Sequence, residues 1–292
     1  MNRAIGRGDG GSPGGSRRRY TFGTLCLQIV MTAVAALFAL PVLVVLNYSF
    51  KTKKELYLSS PFSLPESPSW DNYASAIQRL SMGTTFLNTV LYTIVSVALM
   101  AILSGAAAWA IARNKGRFFK LSYVYFIIGI LIPYQALFLS IYIIGFSLHL
   151  TNTAYGVILM YIATGLSFGV FIMTSFVGSV PVELEESARM DGCSVYRTYW
   201  SIVMPLLKPA FATLVIMQAF QVWNDYLMAS LFVSSAKLKT LTVAMQALFS
   251  QQATDYSTAM GAIVMAVLPI TALFAALQKY FIKGMTVGAV KG

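Results

Sequence analysis

Residues 181–193 read Pro-Val-Glu-Leu-Glu-Glu-Ser-Ala-Arg-Met-Asp-Gly-Cys and continue through Val195 to Lys208-Pro209. In a chain of which only 11% is charged, this segment carries Glu183, Glu185, Glu186, Arg189, Asp191 and Arg197 between two strongly apolar runs. The pattern predicts a hairpin of two short helices over 181–209, broken at Gly192. Pro181 suits a first helical position, and Glu183, Glu185 and Glu186 complement the positive start of a helix. Glu185 and Arg189 stand at i,i+4 in the favourable order. Ser194 supplies a cap for the second helix, which Pro205 is expected to end. A polar, bent segment between apolar runs reads as a docking handle rather than a solvated connector.

Working outward from the hairpin, the 292 residues are 57% hydrophobic and hold ten acidic against 21 basic side chains. Mean hydropathy is +0.70. A soluble domain of this length carries more charge, so the class is an all-α integral membrane protein. A net charge of +11 in a soluble protein would point to nucleic acid. Here the basic residues cluster beside apolar runs, so membrane topology explains them and no nucleic-acid partner is expected. Cys26 and Cys193 form neither a disulfide framework nor a metal-ligand spacing.

Apolar runs at about 22–48, 85–112, 121–144, 157–180, 208–233 and 259–282 are each near the ~20 residues a spanning helix needs. The expectation is six spans in a transmembrane domain over 21–292, with the hairpin between spans four and five. Residues 1–20, rich in Gly, Ser, Pro and Arg, read as a disordered basic tail. A signal peptide is the alternative there, but the run after the tail is longer than a signal core and lacks a small-x-small cleavage site. With both termini in the cytoplasm, 15 of the 21 Lys and Arg lie inside, which places the hairpin inside too. The largest outer loop, 49–84, is expected to be partly folded. Its Trp70 and Tyr73 suit either a protein partner or the membrane interface. The outer loop 234–258 suits a partner or a lid.

No catalytic set can be assembled. The single histidine, His149, falls in a short outer loop and reads as a solvated or interfacial side chain. No Gly-x-x-x-x-Gly-Lys-[Ser/Thr] phosphate loop occurs. The chain is therefore expected to bind no cofactor, and nucleotide-driven transport would need a second protein. Polar residues within spans are costly and informative. In the fifth run Gln218, Gln221 and Asp225 recur at i, i+3 and i+7, with Asn224 beside them. Asp225 lies ~25 Å along from Lys208 at 1.5 Å per residue, in the outer part of the membrane. The glutamines fit a pathway lining or interhelical hydrogen bonding equally; Asp225 fits a structural or gate role. Pro133, Tyr134 and Gln135 interrupt the third run, where Pro133 is expected to kink the helix.

Glu186-Ser-Ala, Gly192 six residues on, and Ile202-x-x-Pro205 resemble the EAA loop of ABC importer permeases. Ser187 and Met204 depart from its alanine and leucine by small changes. Trp223-Asn-Asp-Tyr-Leu, Leu241-Thr-Val-Ala and the closing Gln278–Gly292 resemble the six-span permease subunit of carbohydrate importers related to the maltose system. The resemblance runs from about residue 22 to the end. It implies a bacterial cytoplasmic-membrane protein that pairs with a second, non-identical permease, an ATPase dimer holding ATP and Mg, and an extracytoplasmic sugar-binding protein. It implies that Glu185, Glu186, Ser187, Ala188, Arg189, Asp191, Gly192, Ile202 and Pro205 belong to an ATPase-coupling helix hairpin, and that Gly288–Gly292 reaches toward the ATPase. Ser187 and Ala188 are small enough for close approach, and Glu186 and Arg189 offer charge contacts. Gln218, Gln221, Asn224, Asp225 and Tyr134 are the candidates for the substrate path. A permease for an amino acid, polyamine or phosphate is the alternative of the same class; a stand-alone secondary transporter is the alternative from another.

Overall fold

The computed structural model describes residues 22–249 and 255–289, with side chains as far as Lys279. The expected tail over 1–20 lies outside the described residues, as do residues 290–292 of the C-terminal segment. Every regular element described is helical. Helix α1, Phe22–Ser49, is a 28-residue apolar run with Pro41 inside it. Residues through Val44 form one compact unit and Val45 onward a second.

In the second unit, the 49–84 loop folds as expected into short helices, α2 (Lys53–Leu58) and α3 (Asp71–Arg79). Thr52 and Glu55 close a reciprocal capping box on α2. Phe50, Trp70 and Tyr73 stack on one another with ring centroids 5.1–5.4 Å apart, so Trp70 and Tyr73 belong to an intramolecular cluster. Lys51, next to Phe50 in sequence, is fully buried. Its ammonium donates to Ser59 Oγ at 2.9 Å, Ser60 O at 2.8 Å and Ser63 Oγ at 3.0 Å, which is how a buried cation avoids its desolvation cost.

Helix α4 (Met82–Arg113) follows, then α5 (Arg117–Leu131), a 3-10 turn (Tyr134–Leu137), α6 (Phe138–Ser147) and α7 (Ala154–Val177). The third apolar run is therefore not one helix. It bends by 89° at Ile132-Pro133, because proline lacks an amide donor and pushes the residue before it out of the helical region. The hairpin comprises α8 (Glu183–Met190), α9 (Val195–Thr198), a π segment (Tyr199–Val203) and α10 (Met204–Leu206). Next come α11 (Lys208–Asn224), α12 (Leu227–Phe232), α13 (Leu241–Met245) and α14 (Tyr256–Ala289). Helices α1, α4, α7 and the first 24 residues of α14 are long and apolar enough to cross a membrane unbroken. Two bent pairs, α5 with 134–147 and 195–206 with α11, bring the candidate spans to six at most.

The core is built on α4 against α7, with α11 closing on both and on α14. Small residues set the spacing: a Cβ on Gly169 of α7 would stand 2.8 Å from Ser104 Cβ of α4. In lipid, where apolar side chains gain little from pairing, such close backbone approach is what holds helices together. On the side away from the hairpin, Asp255 pairs with Lys53 at 2.7 Å and Arg79 at 3.1 Å, tying the start of α14 to α2 and α3. Asp255 is buried, which raises its carboxyl; hydrogen bonds from Lys53, Ser257 and Thr258 outweigh that and hold it at about 2.

Candidate functional site: a clamped hairpin and a polar cleft

Helix α8 starts at Glu183, so Pro181 lies before the helix and not at its first position. Glu183, Glu185 and Glu186 occupy the first turn, as their affinity for a helix start dictates. Asp191 is the C-cap and Gly192 turns the chain at φ +81°. The Gly192 amide donates to Arg189 O at 3.0 Å and the Cys193 amide to Ala188 O at 2.9 Å, the two bonds of a Schellman cap. Ser194 then caps the second arm, its hydroxyl accepting from Arg197 N at 3.3 Å. Pro205 does not end that arm. It has no amide to donate, and the helix passes through it by widening into the π segment, where Met204 N reaches back to Tyr199 O. Leu207 closes the arm before a 74° turn into α11.

The expected Glu185–Arg189 pair is not formed. Glu185 is 2% exposed and faces the bundle, where Arg113 Nε donates to its Oε1 at 2.8 Å and Trp109 Nε1 to its Oε2 at 3.0 Å. Arg113 also donates to Val180 O at 2.8 Å. A carboxylate reached by a guanidinium in a half-dry site makes a far stronger partner than an exposed helix neighbour. Ala188 is buried on the same inward face, so its small side chain serves close packing inside the chain rather than approach by a partner. The outward face presents Leu184, Glu186, Ser187, Arg189, Met190, Asp191 and Tyr196, all exposed, with Ile202 half-buried behind. It mixes charge with apolar tips, as a docking surface does.

The second group of predicted residues meets at a cleft of about 280 Å³ lined by Tyr134, Gln221, Asn224, Asp225, Tyr226 and Leu227. Both helix interruptions reach it: Tyr134 begins the turn after Pro133, and Asp225-Tyr226 separate α11 from α12. Gln218 does not reach it. It is 1% exposed and donates to Gly165 O of α7 at 3.4 Å, an interhelical role. Asp225 departs from the expected helical face, because α11 stops at Asn224 and Asp225 is extended. Its carboxylate accepts from Met228 N, Ala229 N and Tyr161 Oη at 3.4, 3.0 and 2.9 Å. From one residue before the N-cap, Tyr226, it satisfies the first amides of α12, and it ties that helix to α7. Trp223 is likewise structural, donating to Ala266 O at 3.0 Å. Tyr134 also edges a second, mostly apolar cavity of about 630 Å³ between α5, α6 and α7.

Sequence reasoning did not single out Trp109, Arg113 or Tyr161, and it quoted Tyr226 only as part of Trp223-Asn-Asp-Tyr-Leu. The signal for Asp225 at the start of α12 was an acidic residue two positions before the apolar run 227–233. The partners of Glu185 lie over 70 residues away and left no local trace. Cys193 and Cys26 are both free thiols, and no cluster of metal-ligating side chains occurs among the described residues.

Residues 102–287 match the family model described as binding-protein-dependent transport system inner membrane component. The chain is 35% identical over 268 residues to the melibiose/raffinose/stachyose import permease protein MelC of Bacillus subtilis, covering 90% of this chain and 96% of that one. It is 30% identical over 267 residues to the multiple sugar-binding transport system permease protein MsmG of Streptococcus mutans, covering 90% and 95%. In fold it resembles a chain in the crystal structure of a bacterial ABC transporter involved in import of the acidic polysaccharide alginate. That match has a TM-score of 0.77 at 22% identity, over 90% of this chain and 99% of that chain. The matched region takes in the hairpin, its anchor on α4 and the cleft, and the chain belongs to the binding-protein-dependent transport system inner membrane component family.

Proposed function

We propose that this chain is the six-span permease subunit of an ATP-driven importer for a sugar or oligosaccharide in a bacterial cytoplasmic membrane. Both termini and the hairpin face the cytoplasm in this reading. A second, non-identical permease completes the path, an ATPase dimer binds ATP and Mg, and an extracytoplasmic binding protein delivers the solute. The carrying observation is the hairpin's two-faced construction. One face is sealed to the bundle by Glu185, and the other offers Glu186, Ser187, Arg189 and Asp191 outward. An element so built passes a push from outside into the bundle and does no chemistry of its own. Nucleotide-driven closure would bias the permease between inward-open and outward-open states, with loaded binding protein biasing the other end.

The saccharide assignment is supported by the names of MelC and MsmG and by the cleft's make-up. Tyr134 and Tyr226 offer ring faces, while Gln221 and Asn224 offer amide donors and acceptors, the groups that match a polyhydroxylated ring with apolar C–H faces. The test is co-purification of the complex followed by ATPase assay against binding proteins loaded with different solutes. Stimulation by a saccharide-loaded binding protein is expected. Stimulation by an amino acid, polyamine or phosphate and by no saccharide would overturn the substrate assignment while leaving the importer reading intact.

A further inference from the structure

We propose that Trp109 and Arg113 are positioning residues that lock the hairpin to α4, making α4 the strut that carries hairpin displacement through the bundle. The inference rests on the hairpin being the coupling element. Gly105, Trp109 and Arg113 recur at i, i+4 and i+8, a single stripe on α4, and between them they meet both arms of the hairpin. Arg113 grips α8 through Glu185 and the carbonyl of Val180 that leads into it, both at 2.8 Å. Trp109 holds the other carboxylate oxygen and stacks on Tyr199 of the second arm with centroids 5.1 Å apart. The Tyr199 hydroxyl lies against Gly105, where a Cβ would come within 2.9 Å of it. Both arms are thus fixed to one helix.

The opposite end of α4 is fastened just as specifically. Asn88 donates to the carbonyls of Lys237 and Lys239 at 2.9 and 3.0 Å, and Tyr92 donates to Leu238 O at 3.2 Å. Thr89 accepts from Leu241 N at 2.8 Å. From Asn88 to Arg113 the helix is unbroken and ~38 Å long at 1.5 Å per residue. Helix α11, which the hairpin joins covalently, is the poorer route. It is entered through a 74° bend and stops at Asn224, before α12. A linkage of this kind is established by its two-state response, not by proximity.

The test uses the assembled transporter with its ATPase, with Cys26 and Cys193 replaced by serine and spin labels at Asn114→Cys and Met190→Cys. Pulsed EPR on the otherwise native protein is expected to give one narrow distance distribution, the same with and without ATP. Glu185→Gln combined with Trp109→Phe removes the ion pair and the indole donor, while Arg113 keeps the Val180 carbonyl and the new amide oxygen as acceptors. In that variant the distribution broadens and becomes ATP-sensitive, and solute imported per ATP falls about tenfold, within the usual range of coupling energies, at normal membrane abundance. Trp109→Phe alone serves if the double variant is unstable. A native distance that changes with ATP, or a double variant with native distances and coupling, would overturn the proposal. The distance measurement uses nucleotide alone, so a wrong solute assignment would appear only in uptake. Failure of any ATPase to co-purify would overturn both readings.

Discussion

Gly192→Val tests how the hairpin is closed. Gly192 stands at φ +81°, and a Cβ added there meets no atom within 4 Å. The substitution therefore carries a backbone cost and no clash. Valine either holds the left-handed conformation, at about 1–2 kcal/mol, or relaxes out of it. Relaxing gives up the two cap bonds, Gly192 to Arg189 O and Cys193 to Ala188 O, at about 1 kcal/mol each. Either route comes to about 2 kcal/mol, small beside the ~5–15 kcal/mol of a folded domain, so the chain should remain in the membrane. The same 2 kcal/mol lowers the ratio of closed to open hairpin roughly 30-fold. Asparagine accepts positive φ far better, so Gly192→Asn should keep most of the activity. The assay is labelled-saccharide uptake and ATP hydrolysis in vesicles, normalised to the amount of chain present. Valine at native rates would refute the reasoning, and so would equal loss in the asparagine and valine variants.

Arg113→Met leaves Glu185 as an unpaired charge in a site 2% exposed. It should cost about 3–5 kcal/mol, seen as a lowered melting temperature of the purified complex, whereas replacing both partners by methionine should recover most of it. Gln221→Ala and Asn224→Ala should raise the apparent KM for saccharide with little change in melting temperature. Gln218→Ala should do the reverse, since Gln218 bonds Gly165 O and does not reach the cleft. The Asp255 carboxyl is held at about 2, below its ordinary ~3.9. A depressed carboxyl contributes stability that is fully present above the ordinary value and is lost as pH falls through the depressed one. Thermal stability should therefore lose this contribution between about pH 4 and pH 2, and Asp255→Asn should flatten that part of the profile.

What the sequence revealed was mostly local in origin. Ser194 as a cap, Gly192 as the reversal and Pro133 as a break each follow from a single residue's backbone chemistry, and each stands where expected. Proline at 205 shows the limit of that reasoning: neighbouring turns absorbed the missing amide in a π segment instead of ending the helix. Glu185 shows another. Its nearest opposite charge along the helix was Arg189, yet the partner it takes is Arg113, brought beside it by the packing of the bundle. Ala188 followed Glu185 inward because the two share a face three residues apart. The cleft was foreseen as a list, with Tyr134, Gln221, Asn224 and Asp225 converging there, while Gln218 turned to α7. Periodicity alone could not separate these, since the helix that defined the shared face stops before Asp225.

The most direct measurement is saccharide uptake into liposomes that hold this chain with its partner permease and ATPase. Uptake should require ATP on the hairpin side and loaded binding protein on the other, and Glu186→Lys on the exposed face of α8 should abolish it without removing the chain from the membrane. Uptake by this chain alone, driven by an ion gradient and indifferent to ATP and to Glu186→Lys, would contradict the account.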